Sequence, residues 1–269
     1  MWDRRVDVLS VWKYYAAFLV FLGTALLLKD AAFSSVLWRD GQPAVSNKAY
    51  FYLQYLTCIF VVMITARMFG ESFRAPACEY LKAFPLSTRQ VVFYRYVWLF
   101  IVLFVPHAAA VAVMFGKVNA SISDYLAAFP EYAPFPAVNI LIPLTHCAVA
   151  LNFYMAMTLF LMLLFRDAVI PVVLIMAWCA LEAGPLNIIF QRYDMFAGAF
   201  GPQDFYSYLP PNILWMLIAQ PILLCLVFVF YGKRSFLGAP VQSFRRVFRK
   251  HSGLEFAHFD NERRNDYEN

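Results

Sequence analysis

The sequence predicts an all-α membrane protein of six transmembrane helices, with both termini on the cytoplasmic side. An amino-terminal interfacial helix and an amphipathic helix between spans two and three are expected to lie along the membrane surface. Three observations carry this. Of the 269 residues 62% are hydrophobic and only 14% charged, with a mean hydropathy of +0.60, well outside the range of soluble domains. Six runs approach the ~20 apolar residues that a spanning helix needs: 12–28, 49–66, 96–115, 137–165, 168–183 and 212–231. Basic residues are retained on the cytoplasmic side of a membrane. With the amino terminus inside, only Lys29, Arg39, Lys48, Lys117 and Arg192 of the 22 Lys and Arg fall outside. The chain therefore divides into one transmembrane domain, residues 1–232, and a basic, partly disordered cytoplasmic tail, residues 233–269.

In the first 13 residues, MWDRRVDVLSVWK, Trp2, Val6, Leu9 and Trp12 share one face and Asp3, Arg4 and Asp7 lie elsewhere. Such a helix lies in the interface with its tryptophans at headgroup level. The following run is read as a retained span, because LLLKDAAF puts charge where a signal peptide needs small residues before cleavage. In the second span Tyr50, Gln54, Thr57, Val61 and Thr65 recur every three or four residues. Their hydroxyl and amide groups avoid lipid, either by lining a pathway or, more commonly, by hydrogen bonding to a neighbouring helix.

Between spans two and three stands ESFRAPACEYLKAFPLSTRQ, residues 71–90. At helical spacing Phe69, Phe73, Ala77, Tyr80, Leu81 and Phe84 form an apolar face, and Glu71, Arg74, Cys78 and Lys82 an opposing polar stripe. Pro76 kinks or divides the helix and Pro85 ends it. Ser87 and Gln90 then form a capping box, so the third helix should begin near Thr88. The segment is either a simple connector or a docking element.

The fourth span is overlong, and a tilt or a break near Pro143 is expected. Asp167 in FRDAVIP is placed to cap the fifth helix; this turn is a simple capped turn or a second, smaller contact. Along the fifth span Pro171, Ile175, Trp178 and Glu182 form a row, with Glu182 near the outer end. An ionisable residue within a span is a functional candidate. His107 and His146 lie in spans three and four and read as interhelical hydrogen-bonding groups rather than metal ligands. The outer segment from Gly184 to Pro211 is aromatic and reads as re-entrant or interfacial. SFRRVFRK in the tail suits anionic headgroups, and DNERRNDYEN reads as disordered.

The five cysteines show no C-x-x-C spacing, and four of them lie in apolar runs, so neither a disulfide framework nor a zinc site is expected. No G-x-x-x-x-G-K-[ST] occurs, and neither G-x-S-x-G nor H-E-x-x-H is present. Nucleotide binding by this chain and the common hydrolase chemistries are therefore not expected.

Glu71, Glu79, Leu81, Pro85, Leu86, Ser87, Arg89 and Gln90 together resemble the segment between the second and third spans of the ABC type-2 exporter permeases. Ala75-Pro76 replaces a Gly-Thr pair often found there, and Phe73 a usual acidic residue. The resemblance implies that residues 1–13 are an elbow helix and that 71–84 is a coupling helix docking on a cytoplasmic ATPase. Glu71, Arg74, Glu79 and Lys82 would make the ATPase contact, with Arg166 and Asp167 at the smaller one. Gln54, Thr57, Trp178 and Glu182 would flank the translocation pathway. It further implies a second permease chain, identical or different, separate ATPase subunits that bind ATP and magnesium, and no cofactor in this chain itself. The setting would be a bacterial cytoplasmic membrane, the partners would include lipids but no nucleic acid, and the cargo would be an amphipathic peptide, lipid or hydrophobic compound. A membrane-embedded enzyme and a non-transporting assembly or sensor protein are the alternatives.

Overall fold

The computed structural model describes residues 4–27, 35–39, 42–46, 48–70, 88–128, 138–182, 193, 195–196 and 207–231. All belong to one compact unit, Met1–Tyr231, separate from a second unit, Gly232–Asn269. Among the described residues six helices are present: α1 Arg4–Leu27, α2 Lys48–Gly70, α3 Thr88–Ala128, α4 Leu141–Phe165, α5 Val169–Glu182 and α6 Pro211–Phe230. Four contain stretches long and apolar enough to cross a membrane, namely Tyr52–Gly70, Arg89–Lys117, Leu141–Phe165 and Pro211–Phe230. By length and composition the chain is thus an integral membrane protein with transmembrane helices.

The other two apolar stretches, Val11–Leu27 and Val169–Glu182, are shorter. At 1.5 Å per residue the 14 residues of α5 rise about 21 Å, less than the ~30 Å hydrocarbon core. In contrast, the 41 residues of α3 rise about 61 Å, so its last turns continue well beyond the apolar stretch.

Three expectations are corrected. Residues 4–13 do not form a helix distinct from the first span, because α1 runs unbroken from Arg4 to Leu27, while residues 1–3 of the expected interfacial helix lie outside the described residues. Pro143 does not break the fourth helix. Helix α4 begins at Leu141, so Pro143 occupies the first turn, where its missing N–H costs nothing. Finally, α1 and α2 are joined by an antiparallel hairpin, β1 Ser35–Arg39 and β2 Gln42–Ser46, in the register Ser35↔Ser46 to Arg39↔Gln42. Asp40-Gly41, the pair lying between the strands in sequence, is a favoured composition for a two-residue hairpin link. Strand β1 lies beside α3.

The helices alternate in direction. At one end Gly70 of α2 meets Ala168 before α5, and Arg89 of α3 reaches the Val229 carbonyl of α6 at 3.4 Å. At the other end Lys117 of α3 caps α1 through the Leu26 carbonyl at 2.6 Å, and Asn139, just before α4, bonds the Tyr208 hydroxyl just before α6 at 3.1 Å. Lysine at a helix carboxyl end satisfies an orphan carbonyl and complements the dipole. The core lies between α2 and α4, where Ile64, Tyr154, Met155 and Leu159 are fully enclosed. Helix α4 packs against α2, α3, α5 and α6, and α2 also against α1 and α5.

Two prolines within helices each free a carbonyl one turn earlier. Pro106 within α3 has no N–H for the Val102 carbonyl, which instead accepts the Tyr15 hydroxyl of α1 at 3.3 Å. Pro221 within α6 likewise leaves the Leu217 carbonyl without its helical donor.

Candidate functional site

Two places gather the sequence-selected residues. The first is the end of the bundle that carries Arg67, Arg89, Arg95 and Arg166. Residues 71–87, including Glu71, Arg74, Glu79 and Lys82, lie outside the described residues, but both helices that flank them are defined. Helix α3 begins at Thr88, where the capping pattern puts it.

Arg95, about two turns into α3, is 9% exposed and folds back onto the end of α2. Its guanidinium donates to the Met68 carbonyl at 2.7 Å and lies over the Phe69 ring at 5.2 Å from the centroid. Met68 is among the last residues of α2, whose carbonyls have no helical donor, so the arginine satisfies an orphan acceptor at the negative end of the dipole. The two helices bracketing residues 71–87 are thereby pinned to each other.

The turn between α4 and α5 stands against the same end. Arg166 closes α4 in the left-handed conformation, φ 50° and ψ 35°, with its N–H donating to the Met162 carbonyl at 2.8 Å. Asp167 then caps α5, its Oδ1 accepting the N–H groups of Val169 at 2.6 Å and Ile170 at 3.3 Å. Ala168 completes the turn, and a Cβ on Gly70 would stand 3.1 Å from its Cβ. A side chain at this position would need the turn to give by a few tenths of an ångström, so glycine is what lets α2 end this close to it without a shift.

The second place is a buried polar seam around α2. Gln54 Nε2 donates to Cys147 Sγ of α4 at 3.1 Å, and Thr57 Oγ1 and His107 Nδ1 of α3 are 3.2 Å apart. Cys58 Sγ lies 3.7 Å from Cys179 Sγ of α5. Successive turns of α2 thus bond three different neighbours, and for Gln54 and Thr57 the geometry realises helix-to-helix hydrogen bonding. His107 Nε2 and Thr65 Oγ1 are buried without a hydrogen-bond partner among the described residues. Glu182, 2% exposed, accepts the Met195 N–H at 3.5 Å, and the His146 Nε2–H donates to the Ser207 carbonyl at 2.9 Å.

Trp178 departs from the expected row. Pro171, Ile175, Cys179 and Glu182 form the buried face of α5, whereas Trp178 is 41% exposed and points away from it. A spacing of three from Ile175 falls about 60° short of a full turn, and the residue at four, Cys179, takes the inward place. Among the described residues no group of three His, Cys, Asp or Glu side chains converges as metal ligands would.

Sequence reasoning missed two features. Arg95 enters the sequence reading only through the charge balance; an arginine at the edge of an apolar run is the available signal. A third polar chain also went unnoticed: the Tyr96 hydroxyl of α3 donates to Asn152 Oδ1 of α4, and Asn152 Nδ2 donates to Gln220 Oε1 of α6 at 2.8 Å. No family model, no curated protein and no solved structure matches this chain.

Proposed function

We propose that the chain is the transmembrane permease subunit of an ATP-driven exporter of the ABC type-2 kind. In this reading it spans the membrane six times with both termini cytoplasmic, pairs with a second permease chain, and is driven by separate ATPase subunits that bind ATP and magnesium. The cargo would be an amphipathic peptide, lipid or hydrophobic compound crossing a bacterial cytoplasmic membrane.

The observation that supports it most is the bracing of the basic end. A lever between α2 and α3 can move spans only if the helices at its two ends respond together, and the Arg95–Met68 and Arg95–Phe69 contacts join them. The Arg166–Ala168 turn against Gly70 adds a second rigid element beside the lever. Displacing such a braced end tilts packed helices as units, a hinge-type transition between two arrangements.

The test is the charge-reversed double variant Glu71→Lys/Glu79→Lys. Close charge pairs across an interface contribute about 1.5–7 kcal/mol, whereas isolated surface charges change stability by no more than about 0.5 kcal/mol. The variant is expected to insert normally, remain monodisperse in detergent, and lose its ATPase. Folded variant that holds an ATPase at parental affinity would make residues 71–84 a connector.

A further inference from the structure

Helices α2 and α5 approach each other closely at two points. At the basic end Gly70 stands against Ala168, and further along Cys58 Sγ of α2 lies 3.7 Å from Cys179 Sγ of α5. Both are free thiols, and both are enclosed, at 0% and 1% exposure.

The spacing of the sulfurs selects among the chemistries open to a pair of thiols. A disulfide needs them about 2.05 Å apart, a closure of about 1.6 Å between packed helices. Metal–thiolate bonds of about 2.3 Å hold two sulfurs on one ion about 3.8 Å apart at a tetrahedral angle and about 4.6 Å apart in line. The observed 3.7 Å matches the first, and a small rotation of either side chain opens the pair toward the second. Sulfur is a soft ligand, suited to copper(I) or zinc rather than to calcium or magnesium. Structural zinc takes four ligands, whereas among the described residues no group of three His, Cys, Asp or Glu side chains gathers. Two sulfurs by themselves suit a soft monovalent ion, which accepts two ligands in line.

An enclosed cation also needs a counter-charge. Glu182 stands where it can supply one. It is 2% exposed, follows Cys179 by three residues on the buried face of α5, and acts electrostatically on Cys58. It is also the last residue of α5, so the thiol pair lies about one turn from the helix end opposite the Gly70–Ala168 contact.

We propose that Cys58 and Cys179 form a binding site for a soft monovalent metal ion of the copper(I) class, which joins α2 to α5. On binding, one sulfur–hydrogen bond breaks and its proton passes to the Glu182 carboxylate. The resulting thiolate and a lone pair of the second thiol each form a bond to the ion. The single positive charge of the ion and the single negative charge of the carboxylate cancel, and no electron is transferred. A neutral product is what an apolar interior tolerates. The site goes beyond the export reading and does not depend on it.

The experiment loads the purified full chain with copper(I) under anaerobic conditions, with bicinchoninate in excess so that weakly held copper stays on the chelator. Parent protein is expected to retain one copper per chain, with two sulfur neighbours in X-ray absorption. Cys58→Ala and Cys179→Ala are each expected to lose the retained copper while staying monodisperse in detergent, and Cys78→Ser and Cys225→Ser to keep it. Glu182→Gln should weaken binding about 10- to 100-fold, as removal of a group supporting a metal site does. Should an alanine variant misfold, X-ray absorption of the parent decides by itself. A parent chain that retains no copper, or copper with nitrogen or oxygen neighbours only, would overturn the proposal. So would copper lost in Cys225→Ser but kept in Cys58→Ala, and parental affinity in Glu182→Gln would overturn the proton transfer. Association with an ATPase is measured on separate samples, so failure of the export reading leaves this outcome distinct.

Discussion

Replacing Arg95 with methionine tests the joint between α2 and α3. Methionine keeps the length and apolar body of the side chain while removing the guanidinium, so little packing is lost. Three terms change. A hydrogen bond from a charged donor contributes about 1.5–3 kcal/mol, and the Met68 carbonyl at 2.7 Å is such an acceptor. Arginine over an aromatic face contributes about 0.5–2 kcal/mol, with Phe69 the ring at 5.2 Å. Against these, removing a charge that is only 9% exposed relieves a desolvation cost that offsets part of the sum. The net expectation is a destabilisation of about 1–3 kcal/mol. Unfolding of the purified protein by denaturing detergent, followed by tryptophan fluorescence, measures it. Combining Arg95→Met with Phe69→Leu isolates the ring term, whose coupling should be about 0.5–2 kcal/mol. Arg95→Lys, which keeps the charge but not the planar fork, should fall between parent and Arg95→Met. Parental stability for Arg95→Met, or additive behaviour of the double variant, would refute the bracing argument.

Two further outcomes follow from the packing. Thr57→Val removes the one partner that His107 Nδ1 has among the described residues, and a cycle with His107→Phe should yield a coupling of about 0.6 kcal/mol, with about 1.7 kcal/mol the upper bound for such bonds in membranes; a coupling of about zero would leave that contact without energetic weight. Gly70→Val drives a branched side chain into Ala168, already 3.1 Å from the Cβ position, and should cost about 1–3 kcal/mol by overpacking; Ala168→Gly in the same chain should restore part of it, measured by the same detergent titration.

Much of the fold was legible because it follows from local chemistry. A helix start at Thr88 is written in Ser87 and Gln90, and a helix start after Asp167 in a carboxylate that can accept two backbone N–H groups, as it does. Apolar length alone marked the four helices long enough to cross a membrane, because lipid leaves the backbone no partner but itself. The hairpin is not legible from apolar length, since SVLWR and QPAVS are short; its signal is the Asp-Gly pair between them.

What the sequence by itself determined was therefore the class of molecule, the order of its helices and, where a capping pattern stands, as at Thr88 and after Asp167, the place where a helix begins. Only the tertiary structure decided what the polar side chains inside those helices do. Gln54, Thr57, His107 and Asn152 have the same composition whether they line a pathway or join helices, and their partners lie 50 to 93 residues away along the chain. Trp178 could be turned outward, and Cys179 inward, only by the neighbour that α5 packs against. Periodicity gives a helix a face but not its facing, since the buried direction is set by elements distant in sequence. Gln220 and the carbonyl freed by Pro221 are the sharpest case, because whether a polar group in a span is satisfied depends on geometry that no local pattern encodes.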